Sequence, residues 1–136
     1  MGESRLILVD TNIFLELLLD QKRADECEKF LNKLSRGELE GVVTRYTIHA
    51  IETMLNSPDE ILLFLRNVEN SIGLYVYETD NEDEMAIAML MKEIKRDFDD
   101  TLQYYVAKKL GAKAIVSFDR HFDGLDIPRA EPKDYI

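Results

Sequence analysis

Leu6-Ile7-Leu8-Val9-Asp10-Thr11-Asn12 decides the fold of this chain. Four apolar residues in a row, with no polar alternation, describe a strand buried on both faces. Such a strand lies within a parallel sheet that helices cover on either side. The run stops at Asp10-Thr11-Asn12, and Ile13–Leu19 follows as a helix apolar at every position except Glu16. An acid that ends a strand and opens a helix sits at the carboxyl edge of the sheet, where ligand sites of open α/β sheets gather.

Outward from this stretch the same alternation continues. Ala24–Arg36 reads as an amphipathic helix stopped by Gly37, and Gly41–Thr44 as a second strand. Tyr46–Leu55 is a helix broken by Asn56-Ser57-Pro58, and Glu60–Glu69 a further one with Ile61, Phe64, Leu65 and Val68 on one face. Leu74–Tyr77 is the third strand, followed by a helix at Glu82–Lys95 with a stripe of Ile87, Leu90, Met91 and Ile94. Thr101–Leu110 is another helix, with Gly111 in the position past its end that favours glycine. Ala114–Val116 is the fourth strand, and a tail strand near Pro128–Ala130 is weakly signalled. Strands separated by helices need crossover connections, so the class is α/β: a three-layer α/β/α sandwich around a central parallel sheet. There is no repeat, low-complexity tract or linker, and residues 1–136 read as a single domain.

Composition narrows the function. Apolar residues make up 46% and charged residues 32%, which excludes a disordered or fibrous chain. No apolar run approaches the roughly 18 residues of a membrane helix. Met1–Arg5 is too short and polar for a secretory signal. The single Cys27 has no internal disulfide partner, and its helical spacing from Ala24, Phe30, Leu31 and Leu34 makes it a core thiol. These features together point to the cytoplasm. A net charge of −10 excludes a broad basic surface of the kind most nucleic-acid modules carry. A phosphate-binding site on such a chain needs divalent cations to neutralise its acids, helped by local basic residues or a basic partner.

Asp10 ends the first strand, and Asp119 follows the fourth after Ser117 and Phe118. If those strands are neighbours their ends lie roughly 5 Å apart. Asp100 precedes the helix that feeds the fourth strand, and a helix feeding a parallel strand begins at the carboxyl edge. Three carboxylates from distant sequence thus converge, and their mutual repulsion calls for protons or a hard cation such as Mg²⁺ or Mn²⁺. Glu52 lies on the helix after the second strand, roughly 9–12 Å below its start. A long Glu side chain points back toward the N-terminus, so Glu52 is the fourth candidate, with His49 nearer the rim. Each acid also has a bland reading. Asp10, Asp99 or Asp100 can cap a helix, Asp119 can be a turn residue, and Glu52 can be a solvated surface acid.

Other signals are weaker. His49 and His121 lack partners at zinc spacing, and His121 beside Phe122 reads as loop packing. Tyr104-Tyr105 offers base stacking, although Tyr105 reads as partly buried. No phosphate-binding glycine loop and no nucleophile elbow is present.

Leu-Val-Asp-Thr-Asn (8–12), Asp-Phe-Asp-Asp-Thr-Leu (97–102) and Gly-Ala-Lys-Ala-Ile-Val-Ser-Phe-Asp-Arg-His-Phe (111–122) resemble the PIN-domain nucleases, and among them the VapC-type toxin ribonucleases. The C-terminal segment is the most specific of the three. The resemblance implies a Rossmann-like sandwich and Mg²⁺- or Mn²⁺-dependent cleavage of RNA. It puts Asp10, Asp100 and Asp119 on the family's metal positions, Thr11 and Asn12 on the polar residues that support the first acid, and Asp97 on an acid one turn before the third. Its second acidic position falls to Glu52. It also implies a small antitoxin protein as partner.

The mechanism that follows is metal-assisted hydrolysis by water, leaving 5′-phosphate and 3′-hydroxyl ends. Rival readings are an inactive PIN-fold binding or scaffold module, and an RNA-processing nuclease with no antitoxin. A receiver domain wants its acid after the third strand, where Tyr77-Glu78-Thr79-Asp80 stands, and an Asp-nucleophile phosphatase wants an Asp where Asn12 stands. The all-round apolar helix at Ile13–Leu19 needs cover from Ala24–Arg36 and Glu60–Glu69 or from a second copy, and a homodimer is the expectation.

Overall fold

The computed structural model describes residues 5–136. Met1–Ser4, which carry most of the signal-segment reading, lie outside the described residues. The elements run β1 (Leu6–Val9), α1 (Thr11–Leu18), α2 (Ala24–Ser35), β2 (Glu40–Thr44), α3 (Arg45–Met54) and α4 (Pro58–Asn70). They continue through β3 (Leu74–Tyr77), α5 (Asn81–Ile94), α6 (Phe98–Leu110), β4 (Ile115–Val116) and β5 (Arg129–Ala130). Short 3₁₀ turns stand at Arg120–Phe122 and Pro132–Tyr135. Every strand pair is parallel, in the order β3-β2-β1-β4-β5.

Strand alternation sorts the core into two layers. Ile7 and Val9 of β1, Val43 of β2 and Val116 of β4 face one side, where they meet residues of α1, α2, α3 and α4 such as Phe14, Phe30, Ile48 and Phe64. Leu8, Val42 and Ile115 face the other, against Ile87 of α5 and Leu102 and Val106 of α6. This is the three-layer α/β/α sandwich that the continuous apolar strands require. Gly41 lets α2 approach β2, since a Cβ there would lie 2.8 Å from Leu34 Cδ2.

The second layer is fastened by buried Asp83. Its carboxylate accepts from Lys109 Nζ at 2.7 Å and from the Tyr105 and Tyr77 hydroxyls at 2.8 Å each. Lys109 above all, with the backbone and the two tyrosines, holds it well below the usual carboxylate range. Tyr104 donates to Asp126 at 2.6 Å and, like Tyr105, packs in this core. Both rings are therefore committed to packing, as read for Tyr105, and do not form a base-stacking platform.

Caps set the helix starts and correct two boundaries. Asp10 accepts from Thr11 N–H, so α1 begins at Thr11 rather than Ile13. Asp97 accepts from Asp100 N–H, so α6 begins at Phe98 rather than Thr101 and takes Asp99 and Asp100 into its first turn. α1 also departs from its apolar reading. Glu16 is buried, and its Oε2 accepts Arg23 N–H at 2.8 Å at the start of α2. Phe14 meets Phe64 of α4 edge-on, with ring centres 6.1 Å apart. Cover for α1 thus comes from α2 and α4, which leaves Leu18 and Leu19 exposed at its end.

The chain lays β2 and β3 on one side of β1, then returns to lay β4 and β5 on the other. Strand order therefore reverses between β1 and β4, and a crevice opens beyond their carboxyl ends.

Candidate metal centre

Register pairs Val9 with Val116, and Asp10 N–H donates to Val116 O at 3.0 Å. The next residue on each strand is Asp10 and Ser117, side by side at the reversal. The Ser117 hydroxyl donates to Asp10 Oδ2 at 2.7 Å and accepts from Asn12 Nδ2 at 3.1 Å and Asp119 N–H at 2.9 Å. One donor and two lone pairs are all a hydroxyl has, so Ser117 is a saturated hub. The other oxygen of Asp10 accepts Thr11 N–H at 2.8 Å. Asn12 thus supports Asp10 through Ser117, and its Oδ1 accepts Phe118 N–H at 3.3 Å. Thr11 contributes its backbone, while its hydroxyl lies 2.8 Å from that of Thr47. Gln103 Nε2 donates to the same Thr47 oxygen at 2.8 Å, which ties α6 to α3 below the site.

Asp10, Asp99, Asp100 and Asp119 line one cleft of about 220 Å³, together with Tyr46 and Ala50 of α3 and Gln103 of α6. The structure therefore brings together three of the four acids expected from sequence. Asp97 does not line the cleft; it caps α6 beneath Asp100. Glu52 is the correction. Its carboxylate meets His49 Nδ1 at 2.8 Å, and neither residue lines this cleft. The reason is helical phase: α3 turns the stripe of Tyr46 and Ala50, four residues apart, toward the acids. His49 and Glu52, three residues apart, share the adjacent stripe.

His121 also departs from its reading. Phe122 is the packing residue, fully buried, whereas the largely exposed His121 ring places Nδ1 3.3 Å from Asp100 Oδ2 and 3.3 Å from Asp119 Oδ1. Among the described residues, one ligand atom each of Asp100, Asp119 and His121 lie within 4.8 Å of one another.

Crowded negative charge leaves its mark on protonation. Burial raises the carboxyl of Asp10, with Asp119 and Asp99 adding to it against the bonds from Ser117 and Thr11. Asp100 is pushed up to about 6 by burial, then by Asp97, Asp119 and Asp10, with His121 opposing. The Tyr46 hydroxyl is pushed up to about 12 by burial and by its hydrogen bond to Asp99. Carboxylates held above their usual range by burial and then by each other are the condition a divalent cation relieves. Oxygen donors in a partly open ring are also the donor set that Mg²⁺ and Mn²⁺ take. The residues present fit such an ion, with Asp100 and Asp119 converging to hold it and Asp10 at the back wall.

The sequence pattern gives no site role to Ser117, Thr47, Gln103 or Tyr46, and reads Asp99 only as a possible helix cap. Asp99 and Gln103 stand four residues apart on α6, a readable signal once the helix start at Phe98 is recognised. Ser117 lies two residues before Asp119, on the same side of an extended segment. Thr47 and Tyr46 carried no signal, because their roles depend on which face α3 turns inward.

Comparison with known proteins places this geometry. A search of curated proteins finds no match. The chain is similar in fold to the Mycobacterium tuberculosis toxin VapC20, described as cleaving the sarcin-ricin loop: 17% identity, TM-score 0.72, covering 93% of this chain and 99% of that one. It is similar as well to a chain of a toxin-antitoxin complex from Klebsiella pneumoniae: 15% identity, TM-score 0.67, covering 93% and 97% respectively. The model of the PIN domain matches residues 7–128, from the first strand to the approach of the last. With its acids set where that sheet reverses, this chain belongs to the PIN-domain family.

Proposed function

We propose that this chain, working as one domain over residues 1–136, is a Mg²⁺- or Mn²⁺-dependent endoribonuclease and the toxin of a toxin–antitoxin pair. The observation that carries the reading is the convergence of Asp10, Asp100 and Asp119 on the cleft at the strand reversal. Family membership and the two toxin-related structures support the same class. A divalent cation, when bound, lowers the pKa of an attacking water and offsets charge at the scissile phosphate. Asp100 and Asp119 would hold that ion, and the Ser117 hydroxyl aims Asp10 from the back wall and favours its charged form against burial. Asp99 orients the Tyr46 hydroxyl at the rim. The water oxygen bonds to phosphorus and gives up one proton, the P–O3′ bond breaks, and the 3′ oxygen takes up a proton in exchange, leaving 5′-phosphate and 3′-hydroxyl ends. Glu52 belongs outside the inner set, joined to His49.

A small antitoxin is the proposed protein partner. A groove of about 260 Å³ lined by Phe14, Leu17, Leu31 and Phe64 among others offers an apolar seat for one of its segments. A homodimer is also proposed, supported by exposed Leu62 and Leu63 on α4 and Met85 and Met89 on α5. The proposed place of action is the cytoplasm; among the described residues no helix is long and apolar enough to cross a membrane.

The test is cleavage of a structured RNA, such as a ribosomal-RNA hairpin, by purified protein with Mn²⁺, Mg²⁺ or chelator. Asp10→Asn and Asp119→Asn should each remove activity, and Glu52→Gln should retain most of it. RNA binding without metal-dependent cleavage would favour the scaffold reading. Cleavage without growth arrest on expression would favour a processing nuclease that has no antitoxin.

A further inference from the structure

His121 is the group that the proposed reaction leaves unused. Its ring is 70% exposed, yet its backbone is held firmly. Its N–H donates to Asp119 Oδ1 at 2.9 Å, and its carbonyl accepts Arg96 Nε at 2.7 Å. The same guanidinium donates to Asp123 O at 3.2 Å and to Ile94 O at 2.7 Å. Arg96 thereby pins the Arg120–Phe122 turn to the end of α5, and buried Phe122 anchors it below. An exposed ring on a turn fixed from three directions is positioned, and Nδ1 is equidistant, at 3.3 Å, from an oxygen of Asp100 and one of Asp119. Asp10 faces the cleft with both oxygens already bonded within the protein, so it is the less available donor.

Resting on the reading of this cleft as a divalent-cation site, we propose that His121 ligates the ion held by Asp100 and Asp119 through Nδ1, and that this nitrogen makes the site prefer Mn²⁺ to Mg²⁺. Mg²⁺ takes oxygen ligands in strict octahedral geometry and keeps its waters. Imidazole suits transition ions, and Mn²⁺ accepts nitrogen alongside carboxylate. A bare imidazole–carboxylate ion pair at so exposed a position would contribute little to stability, so pairing alone gives no reason for the ring to be held there. In the ligating form the ring is neutral, with its proton on Nε2 and the Nδ1 lone pair toward the acids.

The two histidines of the chain, His49 and His121, make the test clean. Mn²⁺ is added to the full chain and examined by pulsed electron paramagnetic resonance for coupling to a directly bound ¹⁴N, while calorimetry gives Mn²⁺ and Mg²⁺ affinities. Wild type and His49→Ala should show the nitrogen coupling. His121→Ala should lose it, with Mn²⁺ affinity falling about tenfold or more and Mg²⁺ affinity unchanged, on the scale seen when groups around a metal are removed. His121→Gln, which offers oxygen in place of nitrogen, should lose the coupling while still binding Mn²⁺. Coupling that is absent in Mn²⁺-loaded wild type, or that survives in His121→Ala, overturns the proposal and leaves the cation site standing. Mn²⁺ binding that is absent in wild type overturns both.

Discussion

Ser117 is the shared support of the site, because one hydroxyl serves Asp10, Asn12 and Asp119 together. Ser117→Ala takes from Asp10, 9% exposed, the donor to one of its oxygens. A buried acceptor left unpaired costs about 1–3 kcal/mol, and a denaturant melt at neutral pH should show a loss of that size. A change too small to measure would mean that water replaces the hydroxyl and the hub is dispensable. Asp100 has the opposite sign. Its carboxyl is raised from an ordinary 3.8 to about 6, so its neutral form favours the fold. That stability is fully present below the ordinary value and is lost as pH rises through about 6. In metal-free buffer, Asp100→Asn should therefore melt about 3 °C above wild type at pH 7, equivalent to about 1 kcal/mol after discounting for solvent screening. At pH 4 the two should melt together, and saturating Mn²⁺ should cancel the advantage at pH 7. A less stable Asn variant in chelator at pH 7 would show that burial and the neighbouring acids do not penalise the charged form of Asp100.

Elements carry the site by where they begin. α6 starts at Phe98 because Asp97 caps it, and that start places Asp99 and Asp100 in the wall of the cleft. Its other end closes on Gly111 at φ 72°, a left-handed conformation that disfavours a Cβ even with open space around it. Asp97→Ala and Gly111→Ala should each cost about 1 kcal/mol of stability. They should differ in cation binding. Loss of the cap frays the turn that presents Asp100 and weakens Mn²⁺ affinity, whereas Gly111 lies a full helix away and should leave it unchanged. Asp97→Ser, which keeps a capping oxygen, should restore most of the affinity. Equal effects of Asp97→Ala and Gly111→Ala on calorimetric Mn²⁺ binding would refute a local role for the cap.

At the scale of the whole molecule, the formal charge of −10 works against RNA, and four of the acids are concentrated in one cleft. Cation and substrate should therefore cooperate. RNA affinity measured by fluorescence anisotropy with the cleavage-dead Asp119→Asn variant should stay weak with and without Mn²⁺, while a non-cleavable RNA on wild type should bind more tightly once Mn²⁺ is added. Equal affinity in chelator and Mn²⁺ would move the phosphate contacts away from the cleft. Light scattering at micromolar concentration tests the homodimer, which requires twice the chain mass. A value near 15.8 kDa would leave α2 and α4 as the cover of α1, with Leu18 and Leu19 open to solvent.

The sequence by itself determined the α/β class, the order of strands and helices, and three of the acids, because those depend on local pattern. A continuous apolar run such as Leu6–Val9 has only one comfortable home, and an acid at the end of such a run lands on the sheet edge wherever the neighbours lie. Tertiary structure alone decided which side of β1 would receive β4, and so whether Asp10 and Asp119 would meet. It decided the face that α3 turns inward, which admits Tyr46 and leaves Glu52 with His49. It brought His121 onto two carboxylates through an arginine twenty-five residues earlier in the chain. Each of these outcomes rests on the packing of elements distant in sequence. A helical pattern shows that a helix is amphipathic, but the phase in which it docks is set by the surface it meets.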